Sequence, residues 1–154
     1  MSLFYLIGAA VAVGTWVFAI VASAGRIAVF MNVPSLVVVL VPAAGLCLSS
    51  FRPQEIGRSF RVAFARSPAQ ATELRVAAAF FRALQRYLLL TGPVGGLVGL
   101  IVMLASLGDV SGQGIGLALC LLTVLYSVLL ALLLALPFRA AVERRLAELG
   151  EPAE

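Results

Sequence analysis

Thr123, Tyr126 and Ser127 place three hydroxyls in the most apolar part of the chain, with Ser127 one helical turn beyond Thr123. In a helix surrounded by hydrocarbon, such groups have two uses. Thr and Ser can donate to carbonyls of their own helix while Tyr fills a packing gap. Alternatively, the three form a mildly polar strip that faces a pore or a partner helix. Neither use is catalysis. The chain has no histidine, and it shows no nucleophile–base pair, metal-ligating cluster or phosphate-binding glycine loop, so no enzyme, metal or cofactor is expected. Proton relays in membranes use Asp, Glu, Lys or His, and the apolar runs contain none of these. If protons cross, another chain must supply the carboxylate.

The elements that hold these hydroxyls are membrane helices. Of 154 residues, 62% are hydrophobic, and the mean hydropathy of +1.11 lies far outside the soluble range. Four apolar runs, at about 3–24, 33–51, 87–108 and 115–138, each approach the roughly 20 residues that span a bilayer. The expected fold is an all-α integral membrane protein, with four transmembrane helices in two hairpins and short amphipathic cytoplasmic helices, forming one membrane domain over 1–154. Between the second and third runs lie Arg52, Arg58, Arg61, Arg66, Arg75, Arg82 and Arg86. Arg26 is the only cation between the first two runs, and Asp109 the only charge between the last two. By the positive-inside rule, segment 52–86, tail 139–154 and both termini face the cytoplasm. The same rule accounts for the net charge of +4, so no nucleic-acid partner is expected. Leu3 to Val21 followed by Ala22-Ser23-Ala24 also has a signal-peptide reading, but it lacks a basic start and exceeds the usual length of about 7–15 apolar residues.

In the central segment, Ile56, Phe60, Ala63 and Phe64 share a helical face, with Arg58 and Arg61 on another, which predicts an amphipathic helix at the membrane surface. Ser67, Pro68 and Gln70 read as N-cap, first turn and capping box of the next helix. There the apolar stripe Leu74, Ala78, Phe81, Leu84 and Leu88 predicts a helix that begins in the cytoplasm and enters the bilayer near Tyr87. Pro34 and Pro42 predict a kink in the second run. Gly92, Gly95, Gly96 and Gly99 form two overlapping Gly-x-x-x-Gly pairs, and Gly116, Cys120, Ser127, Ala131 and Ala135 form a narrow stripe on the fourth run, so close helix packing is expected. Cys47 and Cys120 read as small packing residues. Pro137 reads as a terminator or a hinge, the terminator being the simpler. Beyond it, Phe138 to Leu149 continues as a helix in water, with Arg139–Glu143 and Arg144–Glu148 at i,i+4 spacing, and frays after Gly150.

Several stretches resemble the MotA/TolQ/ExbB proton-channel family, within it the flagellar motility protein A branch. Ala24-Gly25-Arg26-Ile27-Ala28-Val29-Phe30-Met31-Asn32-Val33-Pro34-Ser35-Leu36 is similar to that branch's first hairpin turn, and Phe51-Arg52-Pro53-Gln54-Glu55-Ile56 to the segment leaving the second helix. Gly95-Gly96-Leu97-Val98-Gly99-Leu100-Ile101-Val102-Met103-Leu104 resembles the third helix, and Ala118 to Ala131, with Tyr126, Ala131 and Pro137 in place, the fourth. The resemblance implies a homopentamer in the bacterial inner membrane around a dimer of a single-pass partner of the MotB/TolR/ExbD type, whose membrane aspartate takes up and releases protons. The family's third-helix threonine falls at Gly96, its fourth-helix threonine at Val124, and its third-helix proline at Leu89. Its large rotor-contacting cytoplasmic domain is shortened to 52–86. The expectation is a stator-type channel subunit, with Gly96, Val124, Thr123, Ser127 and Pro137 facing the pore or partner, and Gly92, Gly95, Gly99, Cys120 and Ala131 packing helices. The alternative is a non-conducting scaffold that keeps the oligomer.

Overall fold

The computed structural model describes residues 32–64, 70–105 and 110–150, together with the helical positions Gly8, Val11, Gly14, Thr15 and Phe18 of the first apolar run. The rest of that run, Arg26, Ser67, Pro68, Asp109 and the residues after Gly150 lie outside the described residues. The described elements are α1 (Val33–Ser50), α2 (Pro53–Phe64), α3 (Ala71–Ala105), α4 (Val110–Leu130), a π-helical segment (Ala131–Ala135) and α5 (Leu136–Glu148). Among the described residues, three stretches are long and apolar enough to cross a membrane: Val33–Ser50, Ala71–Ala105 and Gly116–Glu148.

Local chemistry sets the helix ends. Asn32 caps α1 by accepting the Ser35 N–H on its side chain at 2.9 Å, with Pro34 in the first turn where no N–H is needed. The helix continues across Pro42 to Ser50, and the extended Phe51 returns its N–H to the Cys47 carbonyl at 2.9 Å. Only Phe51 and Arg52 separate α1 from α2. Pro53 opens α2, and Glu55 reaches back to accept the Arg52 N–H at 2.9 Å, the acidic half of a capping box.

α3 has 35 residues, roughly 52 Å of helix against a hydrocarbon core of about 30 Å. Its first half must therefore project beyond the lipid. As the apolar stripe predicts, one unbroken helix runs from this projecting half through Tyr87 to Ala105. The start differs from expectation: Gln70 lies outside the helix, its carbonyl accepting the Leu74 N–H at 3.1 Å, and so does not close a capping box from within the first turn. The boundary of the apolar region is marked where α1 ends beside α3, with the Ser50 and Tyr87 hydroxyls 2.8 Å apart in a hydrogen bond.

At the charged end, the last turn of α1, α2, the first half of α3 and α5 enclose a core of Cys47, Leu74, Ala77, Ala78, Phe80, Phe81, Phe138, Val142 and Leu146. Phe60 sets its ring edge-on to Phe80, Phe81 and Phe138 at centroid distances of 5.6, 5.4 and 6.0 Å. α2 is the amphipathic helix expected, but its apolar face is covered by protein. Ile56, Phe60, Val62 and Ala63 pack against protein, because a helix with one apolar stripe buries it on whatever apolar partner is nearest, and α3 and α5 supply one. The tail is helical and forms the Arg139–Glu143 pair as expected, but it packs on the same core. α5 buries Phe138, Val142 and Leu146 instead of standing free in water. Arg145 fixes the assembly by donating to the Val62 carbonyl near the end of α2 at 2.7 Å.

Pro137 does not terminate the last rod. α4 passes through Ala131–Ala135 into α5, with the Leu136 N–H bonded to the Ala131 carbonyl five residues back. A proline ring in a regular helix collides with the carbonyl four residues before it. The wider turn displaces that carbonyl, so the helix carries on with Pro137 buried in its first turn.

Candidate functional site

The seam between α3 and α4 is where the small residues of the two helices meet. A Cβ added at Gly92 would overlap the Ser127 side chain. One at Gly95 would stand 2.6 Å from Val38 Cγ1 and 3.0 Å from Thr123 Cγ2, and one at Gly99 would stand 2.9 Å from Cys120 Sγ. Gly116 returns the pattern from the other side, where a Cβ would meet Met103 Sδ at 3.0 Å. At these four positions an added Cβ meets a side chain of the neighbouring helix, so that side chain or the helix carrying it has to shift, most severely at Gly92. Ala131 and Ala135 continue the same stripe below, buried against Val39, Ala43 and Leu88.

The hydroxyls are enclosed in this seam. Thr123 is 5% exposed and Ser127 fully buried. Thr123 Oγ1 donates to the Leu119 carbonyl at 2.9 Å, Ser127 Oγ to the Val124 carbonyl at 2.8 Å, and Thr91 Oγ1 on α3 to the Leu88 carbonyl at 3.1 Å. In each case the proton is satisfied within its own helix, which is what hydrocarbon demands of a lone hydroxyl. Tyr126 acts at longer range. Its Oη accepts the Asn32 N–H at 2.9 Å and ties the C-terminal part of α4 to the start of α1. Sequence reasoning missed this contact; the signal available was an N-cap asparagine whose own N–H needs an acceptor.

Gly96 and Val124 face one another directly across the seam, since a Cβ on Gly96 would lie 3.1 Å from Val124 Cγ2 and 3.2 Å from the Cys120 carbonyl. Beside this point, on the side of α1, Asn32, Ser35, Gly95, Gly99, Cys120 and Thr123 border a largely apolar open cavity of about 560 Å³, which neither Gly96 nor Val124 lines. Pro137 is remote from it, below the π segment and beside the aromatic core. The structure thus brings Gly96, Val124, Thr123 and Ser127 into one seam and leaves Pro137 outside it. Among the described residues, no three of His, Cys, Asp and Glu gather as a metal site.

The model of the MotA/TolQ/ExbB proton channel family matches residues 42–153, which includes both faces of this seam and the whole charged end. The chain belongs to that family. No curated protein sequence matches the chain significantly. For a member of a channel family with several long apolar helices, the chain is a multi-pass membrane protein. Gly96 and Val124, the two positions at which the resemblance leads one to expect threonines, are thus direct neighbours in space, and neither carries a hydroxyl.

Proposed function

We propose that the chain is a stator-type ion channel subunit, which uses an ion gradient together with a single-pass partner of the MotB/TolR/ExbD type bearing a membrane aspartate. In this reading the four apolar runs cross the bacterial inner membrane as two hairpins within one membrane domain. The arginine-rich end and both chain termini face the cytoplasm, and five copies surround the partner. One observation carries it. The family match covers the α3–α4 hairpin, yet runs 33–51, 87–108 and 115–138 contain no Asp, Glu, Lys, Arg or His, so a titrating group has to come from another chain. The reading does not extend to turning a flagellar rotor, because the segment in the place of the rotor-contacting domain is only 52–86.

The second reading, a non-conducting scaffold with the same oligomer, draws support from the seam. Gly96 and Val124 lack hydroxyls, and Thr123 and Ser127 direct theirs to carbonyls of α4. Proton flux into vesicles containing the chain and its partner separates the two. The channel requires flux that falls when the partner's aspartate is replaced by asparagine; equal flux in both sinks it. Val124→Thr, which preserves shape and restores one hydroxyl, raises flux in the channel and leaves a scaffold silent. Native mass spectrometry in mild detergent tests the ring, which a stable monomer would contradict.

A further inference from the structure

On the outer side of α3, where it leaves the apolar region, a groove of about 670 Å³ is lined by Arg82, Gln85, Arg86 and Arg139 and then by Leu89 and Leu90. The position of this groove is fixed by Tyr87, whose hydroxyl meets Ser50 at the end of α1. Polar groups thus lie on one side of the boundary and lipid-facing leucines on the other, Leu89 being 40% and Leu90 54% exposed.

Charge in the groove is unbalanced. Glu143 accepts from Arg139 Nε at 2.9 Å and from Arg82 Nη2 at 3.3 Å, so one carboxylate serves two guanidiniums. Arg139 Nη1 also donates to Gln85 Oε1 at 3.0 Å, which holds that guanidinium against α3. Arg86 is exposed on the same wall. Three cations therefore share one anion. The Nε–H of Arg82 is enclosed and has no acceptor among the described residues, so an anion in the groove meets this residue at the exposed part of its side chain, which is 39% accessible. A phosphate diester supplies what is lacking: a negative charge and several acceptor oxygens in the geometry that guanidinium groups match. Because the polar part of the groove opens directly onto Leu89 and Leu90, the ligand that fits also carries hydrocarbon.

We infer that the groove between α3 and α5 is a binding site for one anionic phospholipid, with its phosphate at Arg82, Arg86 and Arg139 and an acyl chain along Leu89 and Leu90. The inference is independent of ion conduction, because a channel and a scaffold would both hold the lipid. It differs from diffuse attraction of arginines to an acidic surface in requiring particular side chains. Arg86 is one of these, and Arg58, exposed on α2 outside the groove, is not.

The test is native mass spectrometry of the full chain in mild detergent, titrated with phosphatidylglycerol or with phosphatidylcholine of the same acyl chains. Lipid occupancy per subunit is compared for the wild type, Arg86→Gln and Arg58→Gln, each with and without millimolar inorganic phosphate. The expected result is retention of phosphatidylglycerol over phosphatidylcholine, weakened about tenfold by Arg86→Gln, as the loss of one charge-assisted hydrogen bond requires. Arg58→Gln and phosphate leave retention nearly unchanged. Equal retention of the two lipids, or equal weakening by both substitutions, overturns the site. Displacement by phosphate also overturns it as a lipid site, and an oligomer altered by Arg86→Gln with lipid retention intact gives the groove to a second copy of the chain.

Discussion

Around Phe81 the helices meet through large rings; around Gly92 they meet through almost nothing. Phe51, Phe60, Phe80, Phe81 and Phe138 stand within 5.1 to 6.0 Å of one another in successive pairs at the charged end. In the seam, Gly92, Gly95, Gly96 and Gly99 meet Ser127, Thr123, Val124 and Cys120. The same helix, α3, supplies one wall of both. The difference follows from the solvent. Outside the bilayer, removing aromatic surface from water drives association and larger side chains contribute more. Within lipid, the tails are as apolar as the side chains, so helices gain by close van der Waals approach, which small residues permit.

The strongest way to break this contrast is to remove a ring. Phe81→Ala deletes a fully buried side chain at the centre of the charged end and should cost about 3–5 kcal/mol, read as a lowered unfolding midpoint in mild detergent with the α3–α4 crosslinking pattern in the seam preserved. Next in size, Gly92→Ala should cost about 1–3 kcal/mol by forcing the seam open. Gly57→Ala, at an exposed position of α2 with no atom within 4 Å of an added Cβ, should stabilise instead by up to about 1 kcal/mol. Equal responses at Gly92 and Gly57 would remove the case for close approach. Adding Ser127→Gly to Gly92→Ala sharpens it, since the double variant should regain much of the loss if the clash is with that side chain. The smallest effect is expected from Arg145→Ala, about 0.5–1 kcal/mol from the loss of a cation at the end of α2. Faster amide exchange confined to the last turn of α2 would report it.

How much of this was legible depended on distance along the chain. The α3 stripe Leu74, Phe81 and Leu88 repeats every seven residues, and Arg139 reaches Glu143 at 2.9 Å as its i,i+4 spacing suggests. Both are local patterns, and local periodicity encodes them. Tyr126 and Asn32 are 94 positions apart, and no period connects them. α2 shows another limit: its apolar face is evident from Ile56, Phe60 and Ala63, but amphipathicity says only that the face will be covered, not whether lipid or protein covers it. Pro137 was misjudged as a terminator by a rule for regular helices, because no local signal in Ala131 to Ala135 announces the π turn. In the seam, the small residues were visible as stripes, whereas the facing of Gly96 to Val124 required the relative rotation of two helices.

The π segment gives the two differently packed regions unequal connections. α3 joins them as one α-helix, while the rod beside it contains an extra residue in one turn between Ala131 and Ala135. That residue is pinned by Pro137, whose ring needs the widened turn before it, so the 131–136 stretch is the less regularly hydrogen-bonded of the two connections. Amides from 131 to 136 should therefore exchange faster than those of α3 at 84 to 90, the stretch beside them. Uniform protection along both would mean that the molecule moves as a single stiff body.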